Sequence, residues 1–311
     1  MVEKNALLII NPAAGKKRIR TEMYGVIAEL ENADIHATVC FTKYRGHATE
    51  IARSADPGRY DMIICSGGDG TLNETITGII ASGNELPLGY IPSGSTCDFA
   101  STLGISRSMV TAAHDIAVGK PHRIDIGRFC DSFFSYVASF GLFTKASYST
   151  DQTAKNLLGK AAYVLEGIKD LGQVHEHRMC IELADGKIID DVFMFGAVAN
   201  STSIGGIISI NPTDVALDDG EFEYLFVKRP ENIGDLVMII DAVTSYDYED
   251  EHLYFGSTKG LRIISDEKLD WSLDGEHAKP TAGVLEICNL HDAVSLILPD
   301  SSGTAGLLSE Q

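Results

Sequence analysis

Positive charge is scarce in this sequence: of 311 residues, 25 are Lys or Arg against 44 Asp or Glu, a formal net charge of −19. A nucleic-acid partner needs a basic footprint to neutralise phosphates, so that class is excluded. Long apolar runs are also missing, and none approaches the ~20 residues that span a bilayer. The first residues, Met1-Val2-Glu3-Lys4-Asn5, pass into a short apolar segment without a signal-peptide core. The six cysteines are scattered, with no C-x-x-C pair, so neither a disulfide framework nor a zinc site is expected. There is no internal repeat and no low-complexity tract. These absences predict a soluble, cytoplasmic protein with reduced thiols.

What is present is ordinary globular composition, 44% hydrophobic and 22% charged, in a chain long enough for two domains. The charge divides them. Residues 1–125 hold 12 basic and 14 acidic side chains, and residues 126–311 hold 13 and 30. The acidity therefore belongs to the second half.

Over the first 120 residues strand-like and helix-like segments alternate. Ala6–Ile10, Ala37–Thr42, Met62–Cys65 and Leu88–Ile91 read as short strands. Between them Met23, Val26, Ile27 and Leu30 keep helical spacing, as do Ala48, Ile51, Ala52 and Ala55, and a helix is expected over Thr71–Ala81. Repeated βα units predict a doubly wound parallel sheet. From about Arg123 the pattern becomes β-rich: Ile124–Phe129, Phe133–Phe140, Arg178–Leu183, Lys187–Val192, Phe222–Val227, Leu261–Ser265 and Gly283–Cys288, with helices near Thr153–Leu171 and Ile233–Val243. Asp185-Gly186 is a hairpin signal. The expectation is an α/β domain over 1–124, with 289–299 a candidate to complete it. A mainly antiparallel β-sandwich should follow over 125–288, then a disordered tail over 300–311.

The segment Cys65-Ser66-Gly67-Gly68-Asp69-Gly70-Thr71-Leu72-Asn73-Glu74 joins a strand to a helix at the carboxyl end of a parallel sheet, where such sheets bind ligands. Its glycines allow close backbone approach to a phosphate, and the helix start supplies amides and a positive dipole end. Glycine-rich turns also occur without a ligand, and the glycines alone leave both readings open. Asp69 within the run and the polar Thr71-x-Asn73-Glu74 favour a phosphate site. Neither a Walker A loop nor a G-x-G-x-x-G fingerprint is present.

Gly67-Gly68-Asp69-Gly70-Thr71-Leu72-Asn73-Glu74 resembles the nucleotide-binding motif of the diacylglycerol kinase catalytic-domain family, related to sphingosine and ceramide kinases. The resemblance covers nearly the whole chain. Asn11-Pro12-Ala13-Ala14-Gly15-Lys16 is similar to the family's first phosphate loop, and Thr42 to a nucleotide-contacting threonine. Pro92-Ser93-Gly94-Ser95-Thr96-Cys97-Asp98-Phe99-Ala100 resembles its P-x-G-T-x-N-D-F-A segment, with Ser95 for Thr and Cys97 for Asn. Asp125 and Lys155 match further polar positions. Asn200, Gly205-Gly206, Pro212 and Ala216-Leu217-Asp218-Asp219-Gly220-Glu221 resemble the segment that holds a structural Mg²⁺. The resemblance implies an Asp219 carboxylate ligand with carbonyls of Ala216 and Glu221. Turn chemistry alone would make Asp218-Asp219-Gly220 a plain hairpin. Asp274-Gly275-Glu276 resembles the D-G-E motif that supplies the catalytic base.

The resemblance implies a kinase that moves the γ-phosphate of ATP, with Mg²⁺, to a lipid hydroxyl, most simply that of diacylglycerol. The nucleotide is expected in a cleft between the domains. Asn11, Pro12, Gly15, Lys16, Thr42, Gly67, Gly68, Asp69, Gly70, Thr71, Leu72, Asn73, Gly94, Ser95 and Asp98 would surround it. Asp69 and Asp98 would order the waters of the metal, and Asp274, with Glu276 beside it, would take the hydroxyl proton. The lipid is expected at a membrane surface met peripherally, and a homodimer is compatible with the sequence. Residues 145–178, with five basic against four acidic side chains, are the candidate stretch for that membrane contact. The competing readings are an NAD kinase-like enzyme, which shares Gly-Gly-Asp-Gly-Thr, and a catalytically impaired nucleotide- or lipid-binding regulator, suggested by Ser95 and Cys97.

Overall fold

A computed structural model describes residues 3–15, 18–141, 176–204, 208–278, 283–299 and 306–308. Lys16, Lys155, Gly205, Gly206 and the helix expected over Thr153–Leu171 lie outside the described residues. The chain divides into two compact units. One comprises Met1–Ile126, Ala216–Gly220 and Leu290–Gln311, the other Gly127–Val215 and Glu221–Asn289.

The first unit runs β1 (Lys4–Ile10), α1 (Arg18–Asn32), β2 (Ile35–Phe41), α2 (His47–Arg53), β3 (Met62–Gly67), α3 (Asp69–Ser82), β4 (Leu88–Pro92), α4 (Asp98–Thr102), α5 (Met109–Val118) and the start of β5 (Lys120–Phe129). Ala6–Ile10 and all of β3 and β4 are buried without alternation, as central parallel strands covered on both faces must be. The strand order is β2-β1-β3-β4, and every neighbouring pair is parallel. A fifth strand joins beside β4 through Leu296 opposite Leu88. It belongs to a single strand over Gly283–Leu298, in which the strand expected at Gly283–Cys288 runs on into the 289–299 segment. Helix α5, absent from the sequence reading, is capped by Ser108, whose hydroxyl accepts from the Thr111 amide. Helices α2 and α3 meet closely at Gly78, where a Cβ would sit 2.5 Å from the Thr49 carbonyl oxygen. Of the tail, the described residues include Leu307, which is buried and whose carbonyl accepts the Leu217 amide at 2.8 Å. An apolar anchor and one backbone pair offset the ordering cost there.

The second unit contains β6 (Ser132–Phe134), β7 (Val137–Gly141), β8 (His177–Leu183), β9 (Ile188–Ala199), β10 (Ser203–Ile204), β11 (Ile208–Ser209), β12 (Phe222–Lys228), α6 (Ile233–Ser245), β13 (Leu253–Thr258), β14 (Gly260–Ser265), β15 (Trp271–Leu273), β16 (Glu276–Ala278) and the first part of β17 (Gly283–Leu298). Its pairings are antiparallel. Long β9 is central, pairing with β8, β7 and β12, and Asp185-Gly186 makes the expected β8–β9 hairpin, with Gly186 at φ +89°. Phe222–Val227 are all buried, so both faces of β12 are covered. Phe134, Phe140, Phe193, Phe222, Phe226 and Trp271 form the core. Trp271, with ring centroids 4.9 Å from Phe140 and 5.0 Å from Phe129, is packing and not a site residue. The single strand expected over Phe133–Phe140 is broken at Ser135-Tyr136, for a reason that belongs to the site.

Candidate active site

In the first unit the order β2-β1-β3-β4-β17 reverses direction between β1 and β3, which is where doubly wound sheets open a ligand crevice. The loops that follow these two strands are Asn11–Gly15 and Gly67–Gly70. They are tied together: the Asn11 amide donates to the Ser66 carbonyl at 2.9 Å, and Asn11 Nδ2 donates to Thr71 Oγ1 at 2.9 Å. The loop after β4 joins them, its Ser93 and Gly94 amides donating to the Gly67 carbonyl at 2.8 and 3.2 Å. Side chains would not fit between these loops. A Cβ on Gly94 would lie 2.6 Å from Gly68 Cα, and one on Gly15 would run into the Ser93 carbonyl. Helix α3 begins at this point with no side-chain cap, so its N-terminal amides and dipole face the loops. Beneath, the Ser66 and Ser93 hydroxyls are buried with no hydrogen-bond partner in the protein. Buried hydroxyls without a protein partner call for one from outside the chain, such as a water, an ion or a phosphate oxygen.

The side chains expected here divide by what holds them. Asp69 Oδ2 accepts the Asp98 amide at 3.2 Å, which brings both carboxylate-bearing residues to one place at the start of α4. Thr71 Oγ1 is occupied by Asn11, and the Leu72 side chain lies fully in the core, so Leu72 offers only its backbone. The Thr42 amide continues the β1–β2 ladder by donating to the Ile10 carbonyl at 2.8 Å. Ser95 and Thr96 present their carbonyls to the Arg107 guanidinium, which sequence reasoning missed. Cys97 takes a left-handed conformation, φ +48°, which Asn tolerates better than most residues. That geometry explains the family's Asn at this place, while the thiol lies buried near the Gly67 carbonyl. Burial, with Asp69 adding to it, pushes the Cys97 thiol and the Tyr90 phenol up, and both remain neutral.

Glu74 has a role no spacing revealed. Its carboxylate accepts the amides of Gly46 at 2.7 Å and Ala48 at 3.2 Å, capping α2 and fixing the loop after β2 against α3.

On the turn proposed for metal, Asp219 is exposed, while Gly220 and Leu217 are held from behind. The Gly220 amide donates to buried Asp125 Oδ2 at 2.7 Å, and the Asp125 amide donates to the Leu217 carbonyl. A carboxylate and backbone carbonyls on a braced turn are hard oxygen donors that suit a hydrated Mg²⁺. Among the described residues the acidic and histidine side chains that converge closely are instead Asp125, His291 and Asp292. There Asp125 Oδ1 meets His291 Nδ1 at 2.9 Å and accepts the Asp292 amide at 2.9 Å. The hydrogen bond to Asp125 raises the His291 pKa, which favours the charged form of the imidazole beside this carboxylate.

In the second unit Asp274 and Gly275, at φ +50° and +81°, are the two central residues of a hairpin joining β15 to β16, with Leu273 opposite Glu276. Asp274 is buried, and its carboxylate collects three amides: Ser135 at 2.6 Å, Tyr136 at 3.0 Å and Val137 at 3.1 Å. These amides turn away from the ladder to reach it, and that is what separates β6 from β7. Glu276, two residues on, is exposed. The same Asp-Gly signal that marked the β8–β9 hairpin was available here and identifies this turn.

A family model, the diacylglycerol kinase catalytic domain, matches residues 5–129. A diacylglycerol kinase of Bacillus subtilis is 31% identical over 298 residues, 95% of this chain and 97% of that one. One from Staphylococcus aureus is 30% identical over 310 residues, covering 99% and 96%. The chain belongs to the diacylglycerol kinase family. It is accordingly a lipid kinase, a phosphotransferase. A crystal structure of a Bacillus anthracis protein assigned as a diacylglycerol kinase superimposes with a TM-score of 0.78 at 28% identity, covering 96% of each chain. That likeness bears out the expected architecture, a parallel α/β region followed by a mostly antiparallel one. Among the described residues no helix is long and apolar enough to cross a membrane.

Proposed function

We propose that the protein transfers the γ-phosphate of ATP to the free hydroxyl of diacylglycerol, giving phosphatidic acid. The observation that carries this reading is the convergence at the β1/β3 switch point of an uncapped helix start and two buried, unpartnered serine hydroxyls. The curated relatives' names supply the acceptor.

Phosphoryl transfer asks the protein for position and charge, not covalent chemistry. Asn11, Gly15, Gly67, Gly68, Gly94 and Ser95 hold the triphosphate by backbone approach. Asp69 and Asp98 would hold a hydrated Mg²⁺, and that ion would supply charge neutralisation for the phosphate oxygens. Asp219, with the Ala216 and Glu221 carbonyls, would hold a structural Mg²⁺. The lipid oxygen loses its proton and bonds to the γ-phosphorus, the bridging P–O bond to the β-phosphate breaks, and ADP leaves. For the base, the surroundings of the two acids favour Glu276 over Asp274. Three amides occupy the Asp274 carboxylate, whereas Glu276 stands exposed at the end of the same hairpin. Asp274 then acts as the positioning residue. The enzyme meets its lipid from the aqueous side, as a cytoplasmic protein in peripheral contact with a membrane.

The test is purified protein with γ-labelled ATP, Mg²⁺ and a panel of micellar lipids, with NAD as a control acceptor. Label in diacylglycerol is the expected result. Label in NAD and in no lipid would establish the NAD kinase-like alternative, and label in neither the impaired regulator.

A further inference from the structure

We propose that the exposed ring of Tyr44, backed by His47, is the platform on which the purine base of the phosphoryl donor stacks. The inference rests on the ATP reading above and goes beyond it by placing the base.

Tyr44 lies in the loop after β2, the terminal strand of the parallel sheet. Its ring is 56% exposed and is stacked on His47, with centroids 4.7 Å apart and an interplanar angle of 24°. One face of the ring is thus covered and the other is open. An exposed aromatic on a loop is ordinarily mobile, but this one is fixed at each point. The Tyr44 hydroxyl donates to Glu50 Oε2 at 2.7 Å, and the Lys43 amide donates to His47 Nδ1 at 3.1 Å. In that second bond His47 Nδ1 is the acceptor, so the ring is held by the loop's own backbone. The Glu74 carboxylate holds Gly46 and Ala48, and Thr49 Oγ1 donates to the Glu74 carbonyl at 2.8 Å. Glu74 stands on α3, the helix whose start faces the phosphate loops. The loop and the phosphate site are therefore built on one rigid element.

The distance suits the ligand. β2 and β3 are separated by β1 alone, so their carboxyl ends lie about 10 Å apart at the usual strand spacing. A nucleotide with its phosphates over Gly67 and Gly68 can span that gap with its ribose and bring the base to β2. A pre-ordered aromatic face loses little entropy when a flat ring stacks on it, and such stacking tolerates different bases because every base has a π-face.

The experiment is calorimetric binding of two probes with Mg²⁺ and no lipid: ATP, and inorganic tripolyphosphate, which lacks the base. Wild type, Tyr44→Ala and Tyr44→Phe are compared. The expectation is that Tyr44→Ala weakens ATP by about tenfold or more while leaving tripolyphosphate unchanged, and that Tyr44→Phe stays near wild type for both. Wild-type ATP affinity in Tyr44→Ala overturns the platform and leaves the ATP reading standing. Equal weakening of both probes also overturns it, because the ring then acts through the loop's fold. A wild-type protein that binds no ATP overturns the platform and the ATP reading together.

Discussion

The dipeptide Asp-Gly occurs at a site in each unit and does opposite work. Asp69-Gly70 opens a helix: Gly70 is helical, and Asp69 caps the neighbouring α4 through the Asp98 amide. Asp274-Gly275 closes a hairpin: both residues have positive φ, and the carboxylate is absorbed by three amides of its own sheet. The parallel unit assembles its site from backbone that packs against backbone, through Gly15, Gly68 and Gly94. The antiparallel unit assembles its part from one buried side chain. A fault in the first should be steric, and in the second a loss of hydrogen bonding.

The sharpest break of that comparison separates the two acids of the hairpin. Glu276→Gln removes an exposed carboxylate, so its urea midpoint should stay near wild type while turnover falls about 10²-fold or more, as the loss of a general base does. Asp274→Asn replaces a three-amide acceptor by a group with one acceptor oxygen and an NH₂ that faces an amide. It should lose about 2 kcal/mol or more of stability. An Asp274→Asn protein with native stability and no turnover would return the base to Asp274. Initial rates under saturating ATP and lipid, together with urea titration, read both.

Next in size is a pair of glycines. Gly94→Ala puts a methyl 2.6 Å from Gly68 Cα, backbone against backbone, so the phosphate loops must separate. A displacement of that order costs about 100-fold in kcat/KM for ATP. Gly275→Ala meets open space but keeps φ +81°. It should cost about 1 kcal/mol of stability and leave KM for ATP alone. If both glycines gave the same kinetic defect, the distinction between a steric and a conformational site would fail.

The sequence carries these two constructions unequally. The parallel unit was legible because its strands are uninterrupted apolar runs and its helices keep a 3.6-residue spacing, so the strand–helix turns fall where the motifs are. Helix α5 escaped although Met109, Ala112, Ala113 and Ile116 keep helical spacing, because two small alanines make up the middle of that buried stripe. In the antiparallel unit β13, β15 and β16 were missed. β15 and β16 are three residues each, too short for alternation to show, and the break at Ser135-Tyr136 is set by an aspartate 139 residues away. Contacts of that kind leave no local trace. Glu74 capping α2 and Asp125 bracing Gly220 are of the same kind: the residues were visible, their partners were not.

The smallest expected effect tests whether side-chain pairing also matters in the parallel unit. His291 pairs with buried Asp125, which in turn holds Gly220 on the turn bearing Asp219. Its raised pKa means that the charged imidazole is favoured in the folded state. Its stabilisation is therefore complete below the unfolded value, about 6.5, and is lost as pH rises through the higher folded value. His291 is more than half exposed, so solvent screens most of the effect and the change should be small. The measurement is the urea midpoint of wild type and His291→Gln across that range. Their difference should be largest on the acid side and vanish on the alkaline side. A difference that holds constant with pH would show that the ring braces the turn by packing alone and that the charge on the imidazole adds nothing to it.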